Sequence, residues 1–266
     1  MMYNAFELAL KYIQYYITAQ NGKGHGVHSP FVFEFIQQVL NTKPPRAICE
    51  KIEEQRQQLL LNTQLLTIED MGAGSAFSSH KTRSVKSIAK NALKAPKYSQ
   101  LMHQMVAHYN CQTVLELGTS LGITTSYLAT AKNHPQVLSF EGATEVANQA
   151  QQTFERLNLK NIQLVLGNFD HTLQQSLQQL SQVDLAFIDG NHRYQPTVQY
   201  FEQLLTKTHA HSMIIFDDIY WSKEMEQAWA YVKNHSRVSL TIDLFFIGIA
   251  FFRTETKVKE HYTIRF

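Results

Sequence analysis

From about residue 100 onward the chain keeps one rhythm, a short apolar strand followed by a helix, repeated at near-constant spacing. The segments TVLEL (113–117), QVLSFE (136–141), IQLVL (162–166), VDLAFID (183–189) and SMIIFDD (212–218) read as strands. Helical stretches at 124–132, 144–157, 171–180 and 197–207 separate them. Strand, helix and strand at this spacing make a parallel sheet with right-handed crossovers. The end of the chain departs from the pattern. RVSLTID and IGIAFFR are joined only by a short turn at 244–246, so they form a hairpin and pair antiparallel. The expectation is an α/β fold with a seven-stranded sheet, five parallel strands plus a C-terminal antiparallel hairpin.

Before residue 100 the apolar residues recur mostly at helical spacing: Phe6, Leu8, Leu10, Ile13 and Tyr16, then Phe31, Phe33, Phe35, Ile36 and Leu40. NGKGHGVHSP is a glycine-rich connection between them, and a further helix is expected over 47–61. EDMGAGSAFSS reads as a turn or loop, and KTRSVKSIAKNALKAPK as a basic helix stopped by Pro96. This gives two regions. Residues 1–100 form a helical N-terminal extension acting as a lid or substrate region, and residues 101–266 form the sheet domain.

Composition narrows the function classes. With 266 residues, 44% of them hydrophobic, the chain can bury a substantial core. A net charge of +2 gives no strong pull toward nucleic acid, although the twelve histidines add positive charge below about pH 6.5. Two cysteines, Cys49 and Cys111, are too few for a disulfide framework or a zinc cage. MMYNAFELALKYIQYYITAQ is broken by Glu7 and Lys11 and makes a poor signal peptide. No apolar stretch approaches the ~20 residues of a membrane span. A soluble, cytoplasmic protein is expected, without membrane or nucleic-acid partners and with homodimerisation open.

The most informative motif is LELGTSLGITTSYLA. Glu116, Gly118 and Gly122 form E-x-G-x-x-x-G at the end of the first sheet strand, with Thr119 and Ser120 between the glycines. Glycines there let the backbone pass close to a ligand at the carboxyl end of the sheet. A dinucleotide site requires G-x-G-x-x-G. Here the spacing differs, and an acid precedes the first glycine. A carboxylate suits the sulfonium and ammonium of S-adenosylmethionine and repels a pyrophosphate. The plainer reading is a tight turn with a structural glutamate. Glu141, followed by Gly142, ends the second strand 25 residues after Glu116. It can accept both hydroxyls of a ribose, or be a solvated strand end. Two acids in register on adjacent strands favour the cofactor. Gly167, Asn168 and Phe169, after the third strand, fall where adenine contacts are expected, although Gly-Asn is also an ordinary turn.

Acids also close the fourth and fifth strands: Asp189 in FIDGNHRY, Asp217 and Asp218 in IIFDDIYW. If those strands are neighbours, three carboxylates converge beside the cofactor, with Asp189 facing both. Oxygen donors of this kind suit Mg²⁺ or another hard divalent ion. His192, three residues after Asp189, is a candidate general base. The plainer readings are a polar turn before a helix capped by Ser222, and a loop histidine.

At these residues the chain resembles the class I S-adenosylmethionine-dependent methyltransferases, and more narrowly the catechol and macrocin O-methyltransferase-like group. LELGTSLG resembles that group's cofactor loop, and FIDGNHRY with IIFDDIYW resembles its two metal-bearing strand ends. The resemblance covers about residues 100–253. It implies a Rossmann-like fold, S-adenosylmethionine as cofactor, and Asp189, Asp217 and Asp218 as ligands of Mg²⁺ or another divalent cation. It also implies His192, in the position of the group's catalytic lysine or histidine, as the catalytic residue together with Asp189. The activity implied is O-methylation of a small-molecule hydroxyl. HGVHSPFVFEF, EDMGAGS and WSKEMEQAWAYV are similar to bacterial methyltransferases, whereas the N-terminal third departs from the short N-terminus of the catechol enzymes.

Other features have blander readings. Lys81, Arg83, Lys86, Lys90, Lys94 and Lys97 can form one positive helix face, which is more often simply solvated. His25 and His28 read as loop residues, Trp221 as a candidate pocket wall and Trp229 as core. Three alternatives stand beside small-molecule methylation. One is modification of a macromolecule, for which the chain lacks an Asn/Asp-Pro-Pro-aromatic motif after the fourth strand. The second is a nicotinamide-dependent oxidoreductase, for which it lacks G-x-G-x-x-G. The third is a non-catalytic module that retains the fold.

Overall fold

The structure is a computed structural model that describes residues 2–69, 80–255 and 258–266. In chain order its first elements are α1 (Ala5–Thr18), α2 (Pro30–Phe35), α3 (Arg46–Leu61), the strands β1 (Leu65–Glu69) and β2 (His80–Ser84), α4 (Val85–Ala92) and α5 (Pro96–His108). The alternating region follows with β3 (Thr113–Leu117), α6 (Ile123–Ala129), β4 (Gln136–Glu141), α7 (Thr144–Arg156), β5 (Ile162–Leu166) and α8 (Phe169–Gln179). It continues through β6 (Leu185–Ile188), α9 (Tyr194–Leu205), β7 (Met213–Asp217) and α10 (Lys223–Asn234). The chain closes with β8 (Leu240–Asp243), β9 (Ile247–Phe251) and β10 (Glu260–Thr263). Its residues divide into two compact units, one of Thr42–Ser176 and one of the chain up to Asn41 together with Leu177–Phe266.

In the Thr42–Ser176 unit β3, β4 and β5 run parallel, with Leu115 opposite Leu138 and Ser139 opposite Leu164. The strands are apolar runs because helices cover them: β3 is buried from Val114 to Leu117 and β4 from Val137 to Phe140. Every residue of α6 is buried. Its N-terminal Gly122 adopts φ +81, and a Cβ there would lie 2.6 Å from the Phe154 ring of α7, so only glycine allows this close approach. β1 and β2 form a separate antiparallel pair. Leu66, Val85, Ile88 and Ala89 of this hairpin and α4 join Ile52, Leu59, Leu121, Ile123 and Tyr127 in one buried cluster.

The other unit holds five of the eight strands of the large sheet. β6 and β7 are parallel, β9 lies antiparallel to β7, and β8 lies antiparallel to β9, as the hairpin sequence requires. Buried Trp229 of α10 packs on β9 at Gly248, where a Cβ would meet the indole ring at 2.7 Å. Ser222 caps α10 by accepting a hydrogen bond from Met225 N at 3.2 Å. In α2, Pro30 sits at the helix start, where its missing N–H costs nothing. α1 packs through Tyr15, whose hydroxyl donates to the Ile264 carbonyl at 2.5 Å. The segment after α1 bridges to the chain end, Gln20 pairing with Ile264.

Two expectations need correction. The sheet has eight strands rather than seven, because β10 pairs parallel with β8. Its sequence EHYT carries no apolar alternation, so nothing in the local pattern marks it as a strand. The basic stretch is not one helix: β2 includes Lys81 and Arg83, α4 holds Lys86 and Lys90, and Lys97 belongs to α5. The six cations therefore form no single helical face. The expected loop at EDMGAGSAFSS lies almost wholly outside the described residues, Glu69 being the last residue of β1. No helix among the described residues is long and apolar enough to cross a membrane.

The tight fit of Trp229 on Gly248 sets a stability prediction. Gly248→Ala is expected to destabilise the fold by about 1–3 kcal/mol through overpacking. Combining it with Trp229→Phe should cost less than the two single changes added together, since both act on one contact. Urea unfolding of the four proteins measures this coupling.

Candidate active site

The loop after β3 is shaped by its backbone. Gly118 adopts φ +109, Ser120 φ +49 and Gly122 φ +81, three left-handed residues within five. The N–H groups of Gly118 and Thr119 both donate to the Phe140 carbonyl at 3.0 Å, which turns the loop across the end of β4. Gly122 N–H donates back to the Thr119 carbonyl at 3.0 Å and opens α6.

Glu116 lies beneath this loop. It is fully buried, opposite Ser139 in the β3–β4 register. Its Oε2 accepts from Ser139 Oγ at 2.6 Å and from Thr125 Oγ1, and Thr119 Oγ1 lies 2.6 Å from Ser139 Oγ. Among the described residues, its Oε1 is buried without a hydrogen-bond partner. Burial pushes the Glu116 carboxyl up to about 7, against the opposing effect of the Ser139 and Thr125 hydroxyls, and the nearby Glu141 raises it further. The register does not set the two acids opposite each other; Glu141 lies two residues beyond Ser139, at the carboxyl end of β4. Its Oε2 accepts from Ser120 N at 2.9 Å and its Oε1 from Ala143 N at 3.0 Å. Burial raises this carboxyl as well, opposed by the backbone donors of Ala143, Ser120 and Gly142. Gly167, at φ +132, donates to the Glu141 carbonyl at 2.9 Å. Asn168 Oδ1 accepts from Asp170 N at 2.9 Å, so the turn residue opens α8 at Phe169. Glu116, Gly118, Thr119, Ser120, Gly122, Glu141 and Gly142 thus form one hydrogen-bonded neighbourhood, joined to Gly167 through the Glu141 carbonyl.

The acids of the other unit converge in part. Ligand atoms of Asp189, His192 and Asp217 lie within 4.8 Å of one another, with His192 Nε2 at 3.5 Å from Asp189 Oδ1. Asp217 is the buried last residue of β7. Asp218 is not in this group. It turns to φ +50 and donates its N–H to the Phe246 carbonyl at 2.7 Å, leaving the strand direction. The sequence reading put Asp218 among the ligands and His192 apart from them; the structure groups His192 with the two aspartates. Donors around one divalent ion at about 2.1 Å stand roughly 3–4 Å apart, so two carboxylates and an imidazole within 4.8 Å of one another need only a small closing of side chains to hold such an ion, with nitrogen favouring a transition metal over Mg²⁺.

The chain around His192 is braced in a way that composition does not reveal. Asn191 adopts φ +64, its Oδ1 accepts from Arg193 Nη2 at 2.9 Å, and its Nδ2 donates to Tyr200 Oη at 3.1 Å. Tyr194 N, at the start of α9, donates to Glu224 Oε2 at 3.1 Å. The hydroxyls of Ser139 and Thr125 were also unforeseen. The one available signal is a serine at the centre of the otherwise apolar VLSF.

Comparison with known proteins bears on the domain and the fold. Residues 115–219 match a family model described as a methyltransferase domain. No curated protein matches the chain. The structure is similar to an S-adenosylhomocysteine-bound methyltransferase of Podospora anserina, with TM-score 0.58 and 13% identity over 95% of this chain and 98% of that one. It is similar to an O-methyltransferase of Bacillus cereus in complex with S-adenosylhomocysteine, with TM-score 0.54 and 19% identity over 83% and 97%. A third likeness is to TomG, an O-methyltransferase of Streptomyces achromogenes involved in tomaymycin synthesis, in complex with S-adenosylmethionine. Its TM-score is 0.55, with 13% identity over 84% and 96%. At these identities the structural likeness speaks for the fold.

Glu116 makes stability depend on pH. Its folded value lies above the ordinary 4.5, so its contribution is most favourable below about pH 4.5 and is lost as pH rises to about 7. Replacing it by glutamine is expected to flatten this segment. The stability of the native protein relative to Glu116→Gln should fall by up to about 3 kcal/mol from pH 4.5 to pH 7.5. Urea unfolding at the two pH values checks the sign.

Proposed function

We propose that this chain, whose residues 115–219 match a methyltransferase-domain family model, uses S-adenosylmethionine to methylate a hydroxyl of a small molecule with the help of a divalent metal ion. The observation that carries the reading is the grouping of Asp189, His192 and Asp217 at the ends of two parallel strands of that same domain. Titratable and ion-binding groups at carboxyl ends of sheet strands are where open α/β sheets do their chemistry. A small acceptor is in keeping with the O-methyltransferases among the similar structures.

In this reading Glu141 accepts the ribose hydroxyls of the cofactor, with its own carboxylate fixed by Ser120 N and Ala143 N. Gly118, Thr119, Ser120, Gly122 and Gly142 supply backbone close to the ligand, and Asn168 and Phe169 border the adenine. Glu116 acts from below, its charge supporting the cationic cofactor through the loop that it anchors. S-adenosylmethionine supplies an electrophilic methyl group on its sulfonium sulfur. Asp189, Asp217 and His192 would hold a divalent ion, which lowers the pKa of a bound hydroxyl. The protein's main contribution is alignment, because an in-line displacement is governed by the geometry of its reacting atoms. Residues 1–100 are assigned the part of a lid or substrate region, residues 1–41 belonging to one compact unit and the rest to the other. Cys49 and Cys111, neither of them in a disulfide, are in keeping with a cytoplasmic location.

His192 has a second possible role. Its 3.5 Å separation from Asp189 also suits a general base, with Nδ1 taking the proton of the acceptor hydroxyl while Asp189, facing Nε2–H, orients the imidazolium that forms. An imidazole that holds an ion through one nitrogen carries its proton on the other and is no longer a base, so the two roles exclude each other, and metal dependence separates them.

Calorimetric titration tests the cofactor assignment, with NAD as control. S-adenosylmethionine and S-adenosylhomocysteine are expected to bind, NAD is not, and Glu141→Ala should weaken binding by roughly 10–100-fold, as expected on losing paired hydrogen bonds to charge. Folded protein that binds neither cofactor form sinks the assignment.

An acceptor screen beginning with catechols tests the chemistry. His192→Ala is expected to lower kcat by about 10²–10⁴ with a general base, and methylation then survives EDTA. With His192 as ligand, EDTA abolishes turnover, Mn²⁺ restores it, and the alanine variant needs more Mn²⁺ for half-maximal rate.

A further inference from the structure

Helix α1 has two apolar faces, and its own unit covers only one. On the covered side Tyr15 is buried with Ala19 and Phe245, while Leu8 and Tyr220 pack against them. Lys11 on that side pairs with Glu226 at 2.5 Å. The opposite side carries Phe6, Leu10, Ile13, Tyr16 and Ile17, each 51–71% exposed. Phe6, Leu10, Ile13 and Ile17 follow one another in steps of four, three and four, which is the seam spacing of paired helices.

We propose that this face of α1 docks against the same face of a second copy of the chain, the two helices antiparallel about a two-fold axis. A symmetric interface uses one patch twice, so the patch must complement itself. The seam meets that condition. Reversing it sets Phe6 against Ile17 and Leu10 against Ile13, so large meets β-branched at the ends and the centre is wholly aliphatic. The five side chains offer roughly 600 Å² of apolar surface, at the upper end of the largest patch on a typical monomer. Two copies then bury about 1,200 Å², the lower bound of stable specific interfaces. Tyr12 and Phe246, with ring centroids 6.1 Å apart, continue the patch at its edge.

Charge favours a protein partner over lipid. The helix carries two charged residues, Glu7 and Lys11. Glu7 is held in a capping box with Asn4, and Lys11 is paired with Glu226. A helix that lies on a bilayer needs a basic polar face, and α1 has no row of cations. Antiparallel docking also keeps the two Glu7 carboxylates at opposite ends of the seam, away from each other.

Sedimentation equilibrium on the full chain tests this without any reference to catalysis. Wild type at micromolar concentration is expected at twice the single-chain mass of 30.6 kDa. Leu10→Glu combined with Ile13→Glu should sediment as one chain with an unchanged circular dichroism spectrum, and Ile13→Leu should remain a dimer. Should the double glutamate variant fail to fold, Phe6→Cys combined with Ile17→Cys is expected to give a covalent dimer on mild oxidation. A wild-type protein of single-chain mass overturns the proposal, as does a dimer that survives both glutamates or the absence of the covalent dimer. A monomer that co-sediments with vesicles of phosphatidylcholine and phosphatidylserine overturns it in favour of a lipid surface.

Discussion

A carboxylate without water around it ties β3, β4 and α6 together. Glu116 takes donors from Ser139 and Thr125, and among the described residues its second oxygen has no partner, an arrangement costly enough that folding alone does not account for it. Above it the loop turns through three left-handed residues, and both of its first N–H groups converge on one carbonyl of the neighbouring strand. If the hydroxyls shift, the carboxylate loses its donors; if the carboxylate goes, Ser139 and Thr119 have only each other. The backbone geometry of the loop therefore depends on a polar group that an apolar core would ordinarily reject, the kind of local conflict that accompanies function.

The second acidic group is organised differently. Asp189 and His192 are half-buried on the turn after β6, and Asp217 is buried at the end of β7. The left-handed Asn191 sets the path between Asp189 and His192, with Arg193 and Tyr200 gripping its amide. At the end of β7 the backbone parts two adjacent aspartates. Asp217 completes the strand, while Asp218 turns away to the Phe246 carbonyl. Two acids adjacent in sequence thus have distinct surroundings, as strand-end turns commonly arrange.

How much of this was legible in the sequence depends on what each residue packs against. β3 to β9 were readable because covered strands become unbroken apolar runs, and the short 244–246 connection forces an antiparallel partner. β10 was not readable: Glu260, His261 and Thr263 lie in a strand recognised only by its pairing with β8. Lys81 and Arg83 looked helical because their spacing suited a helix, yet antiparallel pairing with β1 holds them extended. In the site, the glycines and acids were visible as residue types. Their partners were not, because Ser139 is recruited from the neighbouring strand, Thr125 from the helix that follows, and Asn191 acts through a backbone angle.

The closing of the chain on itself bears on how the protein matures during synthesis. Thr42–Ser176 is a continuous stretch and can fold as soon as it has left the ribosome, domain by domain as larger proteins do. The first forty-one residues belong with a partner made much later. Gln20 pairs with Ile264, and Tyr15 donates to the carbonyl of that same residue, so these contacts form only when the final strand emerges. Such distant pairings are slow to close, since a long loop must be ordered before they repay it. Until then α1 has apolar surface exposed on both sides, and the nascent chain is most aggregation-prone in the interval before β10 is made.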